Sequence, residues 1–284
     1  MAGQETTPTD PLQPVSTQIS FLRTPKGRQL RRHFRGGLRS HLFELIRTKD
    51  LDAEAYGTRI NNILIFPRAK PLKMLRILRN RFNSPAMALE EIKKYRILLK
   101  FLGTDLVAAS EEFIVEHHEQ GLSQILLCGL QEYVEGTILD PWHLSGQDCL
   151  GHFYTPDPGT CAREFIQQTV SDISNFVTAI TAMIKTNSQI PDLAGDGNLM
   201  LTPQGRLKLV DINNIVIIQQ GPQIQLDDKG YPCCDKSVEV LSILAHKILN
   251  RPLSLDAPFY QRFLAPDRKQ RVRKLEQQFY QSLQ

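Results

Sequence analysis

The stretch IPDLAGDGNLMLTPQGRLKLVDINN, residues 190–214, gathers the side chains of this 284-residue chain best suited to chemistry. Asp192, Asp196 and Asn198 stand in a loop that also holds Gly195 and Gly197. Asp211 closes an apolar strand pattern in which Leu207, Leu209 and Asp211 share one face. A carboxylate at the end of such a strand is costly to bury without a partner. An amide and a carboxylate brought together across a hairpin supply hard oxygen ligands. Such a pair suits Mg²⁺ carried on a nucleotide's phosphates, because Mg²⁺ takes only one or two protein carboxylates. The plain alternative is turn chemistry: Asp192 after Pro191 can cap a turn, and Asp196-Gly197-Asn198 can form one.

Elsewhere the reactive residue types read as structural. His117-His118 has no further ligand at metal spacing and reads as a turn. Cys233-Cys234 lacks a paired C-x-x-C and reads as two thiols, not a zinc site. No G-x-S-x-G is present, which disfavours a Ser-His-Asp hydrolase.

The elements that must position the 190–214 stretch follow from periodicity. A helix over 162–185 carries an apolar stripe of Phe165, Ile166, Val170, Ile173, Phe176, Val177, Ile180, Met183 and Ile184 at helical spacing. A loop, 186–197, leads to a hairpin turning at Pro203-Gln204-Gly205. A last strong helix is expected over 237–249. Upstream, Ile63 to Phe66 and residues 71–79 read as strands. Ser84-Pro85 opens a helix that Gly103 closes, and strands are expected at 113–116 and 124–134. Strands, one helix, two strands and then a mostly helical half fit an α+β chain in two lobes, not a doubly wound sheet. Trp142 is expected to pack where the lobes meet.

Composition excludes several classes. No apolar run approaches the roughly 18 residues needed to cross a bilayer. Five cysteines and an N-terminal stretch with neither a basic start nor an apolar run argue against a disulfide-built secreted chain and for a reducing, cytoplasmic setting. The net charge of +4 is unevenly spread: residues 1–100 hold 20 Lys/Arg and 8 Asp/Glu, a net +12, and the remainder carries −8. Residues 1–20 read as a flexible tail and 21–50 as a basic arm or helix, densest from Arg23 to Arg39. That run could attract nucleic acid or anionic membrane lipid, or be a solvated face. A second basic cluster, Arg268 to Lys274, reads as a surface face.

Taken together, these features resemble the protein-kinase-like superfamily, in a divergent, bacterial-type form. In that family a catalytic Asp and a metal-binding Asn precede a hairpin ending in the Asp of D-F-G. Here Asn198 matches the Asn and Asp211-Ile212-Asn213 stands in place of D-F-G, 13 residues on. Lys73 is similar to the family's strand lysine and Glu91 to its helix partner, with Glu90 as the alternative. Residues 126–136, with Glu132, Tyr133 and Val134, are similar to the linker that holds adenine, and 235–253 to the central helix of the large lobe. The resemblance covers about 55–255. It implies an N-lobe over 51–135 and a C-lobe over 136–284, with ATP and Mg²⁺ as ligands. Lys73 would orient phosphates, Asn198 and Asp211 would hold the metal, and Asp192 would be the base.

The chain also departs from the family. Asp192 lies one position from the family's spacing, with Asp196 as fallback; no G-x-G-x-x-G precedes Lys73, and there is no A-P-E. The implied reading is a phosphotransferase whose acceptor is a small molecule, sugar or lipid head group sooner than a protein. The alternative is a non-catalytic pseudokinase that binds or regulates.

Overall fold

The basic stretch folds into strands, with Leu30 and Arg31 half-buried and Arg28, Gln29 and Arg32 exposed. The computed structural model describes residues 22–34, 37, 39–119, 122–144, 149–156, 159–219, 221–251, 253 and 258–282. The tail expected over 1–20, and Arg35 of the basic run, lie outside the described residues. β1 (Arg28–Arg32) pairs antiparallel with β2 (Ser40–Arg47), where an arm or helix was expected. The reason lies in two side chains of opposite character. Leu30 packs on the sheet's core, and Arg31 on the other face is held by Glu44 at 2.7 Å and Glu54 at 2.5 Å. Arg23, Lys26, Arg28 and Arg32 stay exposed. β1 is an edge strand, where charge opposes pairing with another chain.

After β2 come α1 (Thr48–Tyr56), the hairpin β3 (Thr58–Ile60) and β4 (Ile63–Ile65), and β5 (Lys73–Leu78). α2 (Pro85–Leu106) then leads to β6 (Ser110–Glu119) and β7 (Leu122–Glu132). Five strands form one antiparallel sheet in the order β1-β2-β5-β7-β6. His117 and His118 are strand residues opposite Gln124 and Ser123, so the expected turn at these histidines is corrected. β6 is the sheet's other edge, where polar side chains can face water without leaving strand geometry. Phe43, Leu75, Ile77, Leu126 and Cys128 form the core on one face. On the other face Arg76 is buried and pairs with Glu112 at 2.6 Å. A Cβ at Gly129 would sit 2.6 Å from both partners, so a side chain there would have to displace the pair.

The chain divides into two compact units. One comprises the described residues of Met1–Glu90 with Ala109–Tyr133; the other, those of Glu91–Ala108 with Val134–Gln284. In the second unit, Tyr95, Leu98, Leu102 and Leu106 of α2 join a large core. Gly103 (φ 66°) interrupts α2 where the sequence closes it. The long stripe forms α3 (Ala162–Asn187) as expected. Short strands β8 (Thr137–Ile138), β9 (Gln189–Pro191), β10 (Leu199–Leu201), β11 (Leu207–Leu209) and β12 (Ile215–Ile217) make two small sheets, β11-β10-β8 and β12-β9. α4 (Cys233–Lys247), α5 (Pro258–Phe263) and α6 (Pro266–Ser282) follow.

α4 begins earlier than the apolar stripe indicates, because Cys233, Cys234 and Asp235 are themselves buried. Asp235 is matched by Arg268 of α6, a residue of the cluster read as a surface face. Arg268 is only 3% exposed and reaches Asp235 at 2.5 and 3.0 Å, with its guanidinium 4.6 Å from the Phe263 ring. Trp142 carries the buried Lys236 ammonium 3.8 Å over its ring. The described residues thus form a mixed α+β fold with a five-stranded antiparallel sheet and six α-helices. None of those helices is long and apolar enough to cross a membrane.

Candidate functional site

Pairing of β9 with β12 positions Asp192 at the mouth of the 192–198 loop. The Asp192 N–H donates to the Asn214 carbonyl at 2.7 Å. Its carboxylate accepts from the Ala194 N–H at 2.9 Å and from Asn214 Nδ2 at 3.0 Å. The next residue ties the loop to α4: the buried Leu193 N–H donates to Ser237 Oγ at 3.0 Å.

Asn198 is buried and held twice. Its N–H donates to the Gly195 carbonyl at 3.1 Å, and its Nδ2 to the Asp192 carbonyl at 3.0 Å. That second bond engages the amide nitrogen, so Oδ1 is the side-chain atom that could meet a cation. Gly195 must be glycine because a Cβ would lie 2.7 Å from the Asn198 amide. Gly197 must be glycine because its φ is +84°.

The hairpin then returns the chain beside Asn198. Leu199 faces Leu209, and the Val210 N–H donates to the Asn198 carbonyl at 2.9 Å. Asp211 follows at once, its Oδ1 accepting the Asn213 N–H at 3.2 Å. Burial raises the Asp192 pKa above the usual carboxylate range, and the neighbouring charge of Asp211 raises it further. Three expected residues, Asp192, Asn198 and Asp211, are therefore gathered at one end of the hairpin. Asp196 is exposed in the loop.

Sequence reasoning missed Asn214, Ser237 and the placement of Cys233. Asn214 Nδ2 lies 3.0 Å from Asp192 Oδ2 and 3.4 Å from Cys233 Sγ. Burial, then Asp192, pushes the Cys233 thiol far up, so it stays neutral and serves as a weak donor toward that carboxylate. The apolar run Ile215–Ile218 after Asn214 was the available signal: it marks a strand that must pair, and its partner is β9.

The other expected residues are placed as follows. Lys73, on β5 of the first unit, is 3.8 Å from the exposed Glu111. Glu91, on α2 in the second unit, holds Lys94 at 2.7 Å. Glu90 is exposed. The Glu132 N–H donates to the Ala109 carbonyl at 2.7 Å, and its carboxylate accepts the Ala109 N–H at 3.1 Å. Tyr133 is half-buried and Val134 buried.

This donor set consists of hard oxygens. Among the described residues no three His, Cys, Asp or Glu side chains stand together as a metal-holding group. A cation here would draw on Asn198 Oδ1, the Asp211 carboxylate and oxygens brought by a ligand, the pattern Mg²⁺ accepts.

A titration follows from the geometry. The folded chain holds the Asp192 proton more tightly than the unfolded chain does. The group therefore costs stability as pH rises from the ordinary carboxylate range through its raised value. Asp211→Asn removes the second cause of the rise. Carboxyl NMR is expected to find the Asp192 midpoint above the usual Asp value, and to find it lower in Asp211→Asn. An unmoved midpoint would show that the two carboxylates do not interact.

Compared with known proteins, the chain matches no family model and no curated protein.

Proposed function

We propose that this chain is a Mg–ATP-dependent phosphotransferase of protein-kinase-like fold, its sheet-bearing unit the small lobe and its mainly helical unit the large one. One observation carries the reading. The Asn198 amide nitrogen is bonded to the Asp192 backbone while Asp211 is delivered beside it by the hairpin, so a carboxylate suited to be a base and two side chains suited to hold Mg²⁺ meet at one loop. Bound Mg²⁺ would neutralise charge on the phosphates. The acceptor hydroxyl attacks the γ-phosphorus in line, the bond to the β,γ-bridging oxygen breaks, and the hydroxyl proton passes to the Asp192 carboxylate. A raised pKa brings that carboxylate nearer the range a general base needs. Lys73 supplies a phosphate-orienting ammonium, and Glu132, Tyr133 and Val134 the backbone against adenine. The segment between β12 and α4 is short, which favours a small molecule, sugar or lipid head group as acceptor over a protein.

A second reading, a nucleotide-binding pseudokinase, is favoured by the ion pairs that Lys73 and Glu91 make with Glu111 and Lys94. Titrating ATP with and without Mg²⁺ while following thermal unfolding tests what the two readings share. At 100 times its dissociation constant a ligand adds about 2.7 kcal/mol, several degrees in Tm. The expected result is a shift that requires Mg²⁺. Absence of any shift removes nucleotide binding, and with it the phosphotransferase.

A further inference from the structure

The β3–β4 hairpin is apolar and lies open to solvent. Both strands are exposed along their whole length. Ile60 is 53%, Ile63 64%, Leu64 47%, Ile65 41%, Phe66 59% and the preceding Tyr56 77% exposed. Register sorts them. Ile60 faces Ile63 and Thr58 faces Ile65, which gives one face three isoleucines and a threonine. Arg59 faces Leu64 on the opposite side, where Leu64 and Phe66 close over Gly57: a Cβ there would meet them at 2.8 and 3.2 Å. Isolated exposed apolar residues are ordinary, but a contiguous set on one short element marks a contact surface.

The charge around the hairpin selects the occupant. Residues 56–70 contain Arg59, Arg68 and Lys70 and no Asp or Glu. The acidic neighbour Glu54 is engaged by Arg31 and by the Ala69 N–H. Two copies meeting here would bring like charges together. An anionic lipid surface answers both features, since it attracts the cations through its headgroups and takes up isoleucines at the headgroup–acyl boundary. Insertion is necessarily shallow, because a two-stranded hairpin has unpaired backbone edges that hydrocarbon cannot satisfy.

We infer that the β3–β4 hairpin is a membrane-interface element that seats Ile60, Ile63 and Ile65 in an anionic lipid surface, with Arg59, Arg68 and Lys70 at the headgroups. The inference is independent of the phosphotransferase reading and assigns the contact to this hairpin instead of the basic stretch of β1.

The full chain is tested by co-sedimentation with phosphatidylcholine vesicles, with and without about one third phosphatidylglycerol. The expected result is binding to the anionic vesicles that weakens with salt, and a loss of roughly tenfold or more in Ile63→Ser/Ile65→Ser. Ile60→Ser, on the other strand of the same face, should lose binding in the same direction and guards against a folding defect in the double variant. These side chains are 41–64% exposed, so both variants are expected to shift Tm by only a few degrees. Binding that survives both variants assigns the contact to cations alone and overturns the proposal. So does wild-type protein that ignores anionic vesicles. A concentration-dependent dimer, lost in Ile63→Ser/Ile65→Ser without vesicle binding, would identify a second copy as the occupant and likewise overturn it.

Discussion

Asp211→Ala is expected to lower Mg²⁺-dependent phosphoryl transfer by roughly 10³-fold or more while leaving the fold intact. The carboxylate contributes little to local structure. Its recorded bond is to the Asn213 N–H at 3.2 Å, one turn contact. Its removal also relieves the repulsion that helps raise the Asp192 pKa, so the apo protein should unfold at or slightly above the wild-type temperature. What is lost is the carboxylate that, with Asn198, is proposed to hold a cation against phosphate. Turnover at saturating Mg–ATP and Tm are read together. Lost turnover at unchanged Tm supports the metal role. Near-wild-type turnover removes Asp211 from the machinery, and a collapse in Tm would show that it is structural.

The second large effect is on stability. Asp235→Ala is expected to destabilise the second unit by about 3–5 kcal/mol, because it leaves a charged guanidinium buried without its counterion. Arg268 and Asp235 are both about 3% exposed, and Arg268 cannot shed its proton to relieve the cost. The remaining acceptors, the carbonyls of Pro222 and Gln223 at 3.4 and 3.3 Å, are long and neutral. The double change Asp235→Leu/Arg268→Met should recover most of the loss, since apolar residues of similar volume need no pairing. Urea unfolding of the two variants beside the wild type decides it. A single-variant cost under about 1 kcal/mol would mean that the pair is effectively solvated.

What could be read beforehand follows the range of the interactions involved. α3 was legible because its stripe repeats within one helix, and α2 because Ser84-Pro85 and Gly103 mark its ends locally. The hairpin, and with it the meeting of Asn198 and Asp211, was legible because the turn at Gly205 fixes register over a few residues. The basic stretch was not. Its charges fit a helix face as well as a strand, and only Glu44 and Glu54, 13 and 23 residues from Arg31, decide between them. Arg268 was misread for the same reason, with its partner 33 residues away. Asn214 was marked only by the apolar run that follows it, because its role arises from β9 and β12 coming together across the whole 192–214 loop.

The hairpin that carries the candidate ligands is fastened at both ends. At its turn, a Cβ on Gly205 would collide with the Phe165 carbonyl oxygen of α3, and the Gly205 carbonyl accepts Thr169 Oγ1 at 2.9 Å. Beside it, Asp172 accepts the Leu207 N–H at 3.1 Å and Arg206 Nε at 2.9 Å. At the other end Ser237 of α4 holds Leu193. The amide protons of Leu193, Leu207 and Val210 are thereby locked into one cooperative opening unit, and their exchange with solvent should report the unfolding of the second unit as a whole. A cation bound at Asn198 and Asp211 as proposed would meet a spacing that folding had already set, with no loop left to close around it.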